Sequence, residues 1–244
     1  MIFFLIALFC YVLMQLIETI SFGSRVAGKL VNRLSLGTTL QRSIYTISRA
    51  FLPPLLLSLS FLIETQLNIK TFLLISVVLT IVAFFASLFV FFRFNYFQLI
   101  FQHLFIEYGT HTIPIAILKV IFNKNYDFTK INTGSAPKIS TLSLKKIITS
   151  CFAYFFLSTG FLVAFSIAIL IPEYRMTLSH LTTAFHGIGS VVLAMFIDPM
   201  ISRSLDVESK KSKWLVNIYS IFVGRLIAYL LAASIFLSIY MFLV

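Results

Sequence analysis

The chain has 244 residues, of which 59% are apolar, 16% aromatic and only 11% charged, whereas a soluble domain carries about 25% charged residues. With a mean hydropathy of +1.00 and 28 phenylalanines, a water-soluble fold has too little interior to hide the apolar surface, and a disordered chain is polar and poor in aromatics. The net charge of +11, from 19 Lys and Arg against 8 Asp and Glu, does not point to nucleic acid: the basic residues stand between apolar segments, as in the cytoplasmic loops of an integral membrane protein.

A membrane-crossing helix needs about 20 mostly apolar residues. The first span covers residues 1–20 and is closed by Glu18; without a basic start or a small-residue cleavage site it reads as a retained helix, not a signal peptide. The second span, 34–63, begins polar, ends apolar and carries Pro53-Pro54 in its middle. The third, 71–92, is uniformly apolar apart from small hydroxyl residues. Residues 97–122 mix Phe, Ile and Leu with Gln98, Gln102, His103, Glu107, His111 and Pro114, which predicts an amphipathic interfacial helix or a shallow re-entrant pair. The fourth span, 147–171, stops at Pro172; the fifth, 177–197, stops at Asp198-Pro199; the sixth, 214–244, carries Arg225.

The expected fold is therefore an all-α integral membrane protein, one polytopic domain over residues 1–244 with six transmembrane helices. Basic residues follow spans one, three and five, including the seven from Arg93 to Lys146 in the 93–146 loop region, while the opposite side has only Lys70 and Arg175. The positive-inside rule places the three basic loops in the cytoplasm and both termini outside. A seventh crossing through 97–122 would put the five lysines from Lys124 to Lys146 on the wrong side.

Charges within the spans ask for a reason, since each costs about 2.5–3.5 kcal/mol at a helix centre. Thr38, Arg42, Tyr45 and Arg49 follow at steps of four, three and four and so share one helix face. Arg42 and Arg49 stand about 10.5 Å apart along the axis. Guanidinium forks match phosphate oxygens, so such a pair suits a diphosphate; alternatively both snorkel to the interface from a tilted helix. Pro53-Pro54 then predicts a kink next to Arg49, a packing feature or the border of a substrate site.

Glu18 and Arg25, seven residues apart, share a face if the first helix runs past Ser21. His186, followed by Gly187, Ile188 and Gly189, offers an imidazole in mid-span. Arg225, stacked on Tyr229 at a spacing of four, asks for a carboxylate partner, with Glu18 and Asp198 as the candidates. His103, Glu107 and His111 recur at four-residue steps, but the face drifts by about 80° over that distance and zinc uses tighter motifs. No metal and no cofactor are expected. Cys10 and Cys151 have no redox or metal spacing, and no nucleotide-binding or hydrolase motif is present.

In their order, Leu16-Ile17-Glu18-Thr19, Ser24-Arg25-Val26-Ala27-Gly28, Ser48-Arg49, Pro54-Leu55, Gly187-Ile188-Gly189 and Phe196-Ile197-Asp198-Pro199 resemble the Amj family of bacterial membrane proteins, alternate lipid II flippases able to replace MurJ. The resemblance implies a multi-pass protein of the bacterial cytoplasmic membrane whose cargo is undecaprenyl diphosphate carrying the peptidoglycan precursor. It also implies membrane lipids and cell-wall synthesis proteins as the surroundings in which it works. The substrate-binding candidates are Glu18, Arg25, Arg42, Arg49, His186, Asp198 and Arg225, read from the residues themselves and not from a family motif. Two rivals remain at this point: a polyprenyl-diphosphate phosphatase with Glu18 or His186 as acid-base group, and a non-catalytic assembly subunit whose arginines only pair helices.

Overall fold

The computed structural model describes residues 2–65, 67–108, 115–116, 119–120, 137, 139–208 and 211–243. Among them the elements are helices: α1 (Ile2–Leu30), α2 (Leu34–Ser48), α3 (Leu52–Glu64), α4 (Ile69–Phe92), α5 (Phe94–Glu107), α6 (Leu144–Leu170), α7 (Arg175–Ser179), α8 (Leu181–Val192), α9 (Asp198–Val207) and α10 (Lys211–Leu243), with short 3-10 and π turns between some of them. Six helical runs are long and apolar enough to cross a membrane: Ile2–Leu30, Leu34–Glu64, Ile69–Phe92, Leu144–Leu170, Pro172–Val207 and Lys213–Leu243. The protein is a multi-pass, all-α membrane protein.

Two of the spans differ from the sequence-based expectation. The first helix does not end near Ile20 or at Gly23 but runs to Leu30, because packing on α2 and α5, with Gly23 seated against Phe101, supports its last turns. The fifth run does not stop at Asp198-Pro199. Pro199 has no N–H to give the preceding turn, and the chain accommodates this with a wider π turn over Leu193–Ile197 before continuing as α9 to Val207. The same logic operates at Pro53-Pro54. Both prolines sit in the first turn of α3, where helix N–H groups are free anyway, and the chain tightens into a 3-10 turn over Arg49–Phe51 just before them.

α5 packs on α1 and is not among the six candidate spans. It is anchored by Arg33, whose Nη1 donates to the Phe105 carbonyl at 2.6 Å. Burial pushes the His103 imidazole below its ordinary value, against the opposing pull of Glu107. His111, most of 109–122 and the lysine-bearing loop from Lys124 to Lys138 lie outside the described residues.

The helices form two groups. α1 packs on α2, α3 and α5; α6 packs on α8 and α10; α4 leans on both α1 and α10 and joins the groups. Side chains fill the seam between them in two apolar clusters. One, toward the chain termini, gathers Tyr11, Met14, Leu59, Phe161, Tyr229 and Phe236. The other, toward the opposite end, gathers Phe22, Val26, Tyr154, Ile197, Trp214 and Phe222.

Within the first group, α1 and α2 form a hairpin through a turn at 31–33, with Asn32 in the left-handed region at φ 57. Their backbones meet at Gly28 and Gly37. A Cβ on Gly28 would lie 2.9 Å from the Gly37 Cα, and one on Gly37 would lie 2.6 Å from the Ser24 carbonyl. By contrast a Cβ on Gly187 would meet nothing within 4 Å. Gly28→Ala is therefore expected to force the hairpin apart at a cost of about 1–3 kcal/mol and to lower the thermal unfolding midpoint in detergent, while Gly187→Ala leaves the midpoint near that of the parent protein.

Candidate functional site

The polar residues of the spans converge where the two helix groups meet. Glu18, three residues past Gln15 on α1, is 3% exposed. A buried lone carboxylate is costly, and here two arginines from other helices reach it. Arg225 of α10 places Nη2 3.1 Å from Oε2, and Arg49 of the 3-10 turn places Nη2 3.2 Å from Oε1. Ser48 adds a hydroxyl to Oε1 at 3.3 Å. The carboxylate is thus held on both oxygens.

Arg225 is 1% exposed and its donors are spread over several acceptors. Nη2 also donates to Gln15 Oε1 at 2.7 Å, and Nε donates to Tyr229 Oη at 2.9 Å. Tyr229 in turn donates to Gln15 Oε1 at 2.6 Å. The Tyr154 ring lies 4.7 Å from the guanidinium carbon, the distance of a cation–π contact. The carboxylate partner of Arg225 is Glu18. Asp198 goes elsewhere: its Oδ1 takes Arg25 Nη2 at 2.7 Å, a contact made possible because α1 stays helical through Arg25 and the π turn carries α9 on from Asp198.

Arg49 links three helices. Besides Glu18 it donates to Tyr45 Oη one turn back on α2, stacks over that ring at 4.4 Å, and meets His186 Nε2 on α8. His186 Nδ1 faces Ser190 Oγ at 3.3 Å. The glycines expected to let a helix approach here divide the work: Gly189 lies against Ala153 and Leu157 of α6, whereas Gly187 faces open space.

These groups border a cavity of about 280 Å³ lined by Glu18, Arg25, Arg42, Tyr45, Asp198 and Arg225, with Gln41, Thr46, Tyr154 and Leu193 among the remaining walls. Arg42 is exposed on it, and its side chain makes no ion pair among the described residues. Arg25 is 1% exposed, yet its Nε and Nη1 have no hydrogen-bond partner among the described residues. Buried guanidinium N–H groups left unbonded cost about 1–3 kcal/mol each, unless a ligand takes them.

All seven residues singled out in the sequence fall in this cluster. Five line the cavity; Arg49 and His186 stand beside it, joined to it through Glu18 and Tyr45. Sequence reasoning missed Gln15, Ser48 and Tyr154. Gln15 carried a signal, being a lone amide three residues before Glu18 and so on its face; Tyr154 carried none, since an aromatic in an apolar run looks like core. Among the described residues no group of three His, Cys, Asp or Glu is placed to hold a metal ion.

The family model Amj (Alternate to MurJ) matches residues 10–244, nearly the whole chain, and the chain belongs to that family. No curated protein and no solved structure matches it.

Removing one partner of a buried ion pair leaves the other uncompensated, at a cost of about 3–5 kcal/mol. Glu18→Gln is accordingly expected to lower the unfolding midpoint in detergent strongly. The double variant Glu18→Gln with Arg225→Gln, which removes both charges, is expected to recover part of the loss in the same measurement.

Proposed function

We propose that this Amj-family protein is a flippase that moves lipid II, an undecaprenyl-diphosphate-linked peptidoglycan precursor, across the bacterial cytoplasmic membrane, with the diphosphate held by the arginines of the seam. The observation that carries this reading is a surplus of positive charge in a site built into membrane-spanning helices. Arg25, Arg42, Arg49 and Arg225 face Glu18 and Asp198, so four cations less two anions leave +2. The surplus is expensive in a low-dielectric layer, and the dianionic diphosphate of a lipid-linked sugar balances it.

The donors suit that ligand. Arg25 offers two unbonded N–H groups from a buried position, and Arg42 offers an unpaired fork. Guanidiniums replace the hydration of phosphate oxygens with planar, charge-assisted hydrogen bonds. Tyr45, Thr46 and Gln41 add neutral polar atoms to the wall.

Size divides the cargo. A cavity of about 280 Å³ corresponds to about nine waters, room for the diphosphate but not for a disaccharide and peptide. The head group therefore passes alongside the cavity on its polar α2 face while the polyprenyl tail stays in lipid. With the basic loops in the cytoplasm, the cavity lies on the cytoplasmic side of the Glu18 layer, where the precursor is made, and both termini lie outside.

Arg42 gives the cleanest test, because it is exposed and its loss orphans no buried carboxylate. A charge-assisted hydrogen bond is worth about 1.5–3 kcal/mol. Arg42→Ala is expected to weaken lipid II binding by roughly 10–100-fold and to impair rescue of cells lacking their other lipid II flippase, with membrane levels of the protein unchanged. Arg42→Glu is expected to abolish rescue. Wild-type rescue by both variants, at equal protein levels, counts against the flippase reading; release of inorganic phosphate from undecaprenyl diphosphate by the purified protein would replace it with a phosphatase.

A further inference from the structure

We infer that His186 is a proton-binding site coupled to occupation of the cavity, so that a proton is taken up as the lipid diphosphate binds. The inference rests on the flippase reading and adds a second substrate, the proton, to it.

The geometry sets up a competition. Arg49 Nη1 meets His186 Nε2, and a guanidinium has only donors. Nε2 must therefore present its lone pair, which makes the ring neutral, with the remaining proton on Nδ1 directed at Ser190 Oγ. A proton and Arg49 cannot occupy the same nitrogen. Protonation of the ring would also set two cations side by side.

Arg49 has somewhere else to go. Its guanidinium already touches Tyr45 and Glu18, both of which line the cavity. An anion seated there draws the guanidinium off His186 by Coulomb attraction across a short distance. Nε2 is then free, and the repulsion that opposed its protonation has moved away.

The surroundings single out the imidazole. Among the described residues, the charged or titratable groups around it are Arg49, which bonds it from the 3-10 turn, and Tyr45 of α2 and Glu18 of α1, which Arg49 also contacts. From α3 and α6 it meets Leu52, Leu56, Phe156, Leu157 and Phe161, with which it lines a second cavity of about 190 Å³. Thr182 and Thr183 of its own helix supply hydroxyls in that cavity, which shares no lining residue with the diphosphate site. Of these groups, histidine alone has an unperturbed titration near neutral pH; Glu18 is held by two arginines. Coupling is reciprocal: if the ligand promotes proton uptake, acid promotes ligand binding.

The test uses the purified full-length protein in detergent and lipid II, whose diphosphate is esterified at both ends and does not itself titrate near neutrality. Titration calorimetry in two buffers of different ionisation enthalpy is expected to report net proton uptake on binding. The dissociation constant is expected to fall with falling pH across the neutral range, by at most about tenfold per pH unit for one proton. His186→Gln, whose amide carbonyl still accepts from Arg49 but does not titrate, is expected to bind with little proton uptake and a flat pH profile. Zero uptake by the wild-type protein overturns the inference, as does uptake undiminished in His186→Gln, and either result leaves the flippase reading standing. Absence of lipid II binding at every pH removes both.

Discussion

A carboxylate in the middle of an apolar helix is stable here because two guanidiniums from other helices reach it. Glu18 is bonded on one oxygen by Arg225 and on the other by Arg49, and the position of three helices follows. α10 must bring residue 225 level with residue 18, α2 must end where Arg49 can turn inward, and Gln15 must lie on the Glu18 face to share Arg225. Apolar packing tolerates small slips between helices, whereas a buried three-charge cluster does not, because every slip exposes an unpaired charge to a medium that does not solvate it. The cluster also fixes the electrostatics of the site. Two arginines on one carboxylate leave a net positive charge, Arg25 with Asp198 is neutral, and Arg42 adds one more.

The contacts within the two helix groups differ in kind from those between them. Among the described glycines, the tight backbone approaches stay inside a group: Gly28 with Gly37 joins α1 to α2, Gly189 with Ala153 and Leu157 joins α8 to α6, and Gly224 against the Ile147 carbonyl joins α10 to α6. Such contacts are dry and short, and no polar ligand replaces them. Across the seam run Arg225 to Glu18, Arg25 to Asp198 and Arg49 to His186, hydrogen-bonded bridges on long flexible arms. An anion can take the acceptor's place on the arginine of such a bridge.

Much of this was legible in the chain, and the limits have physical causes. Apolar run length located the six spans because the bilayer imposes that length. Helical periodicity put Arg42, Tyr45 and Arg49 on one face, and that face does border the site. Periodicity could not say that Arg42 opens onto a cavity while Arg49 turns to Glu18 and His186, since this depends on the partners brought up by α1 and α8. Span ends were misjudged where tertiary packing or a locally altered turn carried the helix past the expected break: α1 runs through Gly23 on its contacts with α2 and α5, and the π turn carries the chain through Asp198-Pro199. The choice of carboxylate for Arg225 was open in sequence because both candidates, Glu18 and Asp198, stand on other helices, and only packing decides between them.

The placement of the cavity along the seam bears on how cargo would cross. From the Glu18 layer toward the chain termini the seam is filled by Tyr11, Met14, Leu59, Phe161 and Phe236, an apolar plug. From the same layer toward Arg25 and Asp198 the polar cavity opens beside the second apolar cluster of Phe22, Val26 and Phe222, and that end carries Lys29 and Arg33. The Arg225–Glu18–Arg49 layer is the floor of the cavity and the roof of the plug. Under the proposed function this is the state that receives cargo from the basic, cytoplasmic side. Moving a diphosphate further means passing it from Arg25 and Arg42 to one arginine of the layer, Arg49 or Arg225, while the other stays on Glu18. The plug then has only van der Waals contacts to give up, and the polyprenyl chain in the adjoining lipid supplies apolar surface of the same kind to replace them.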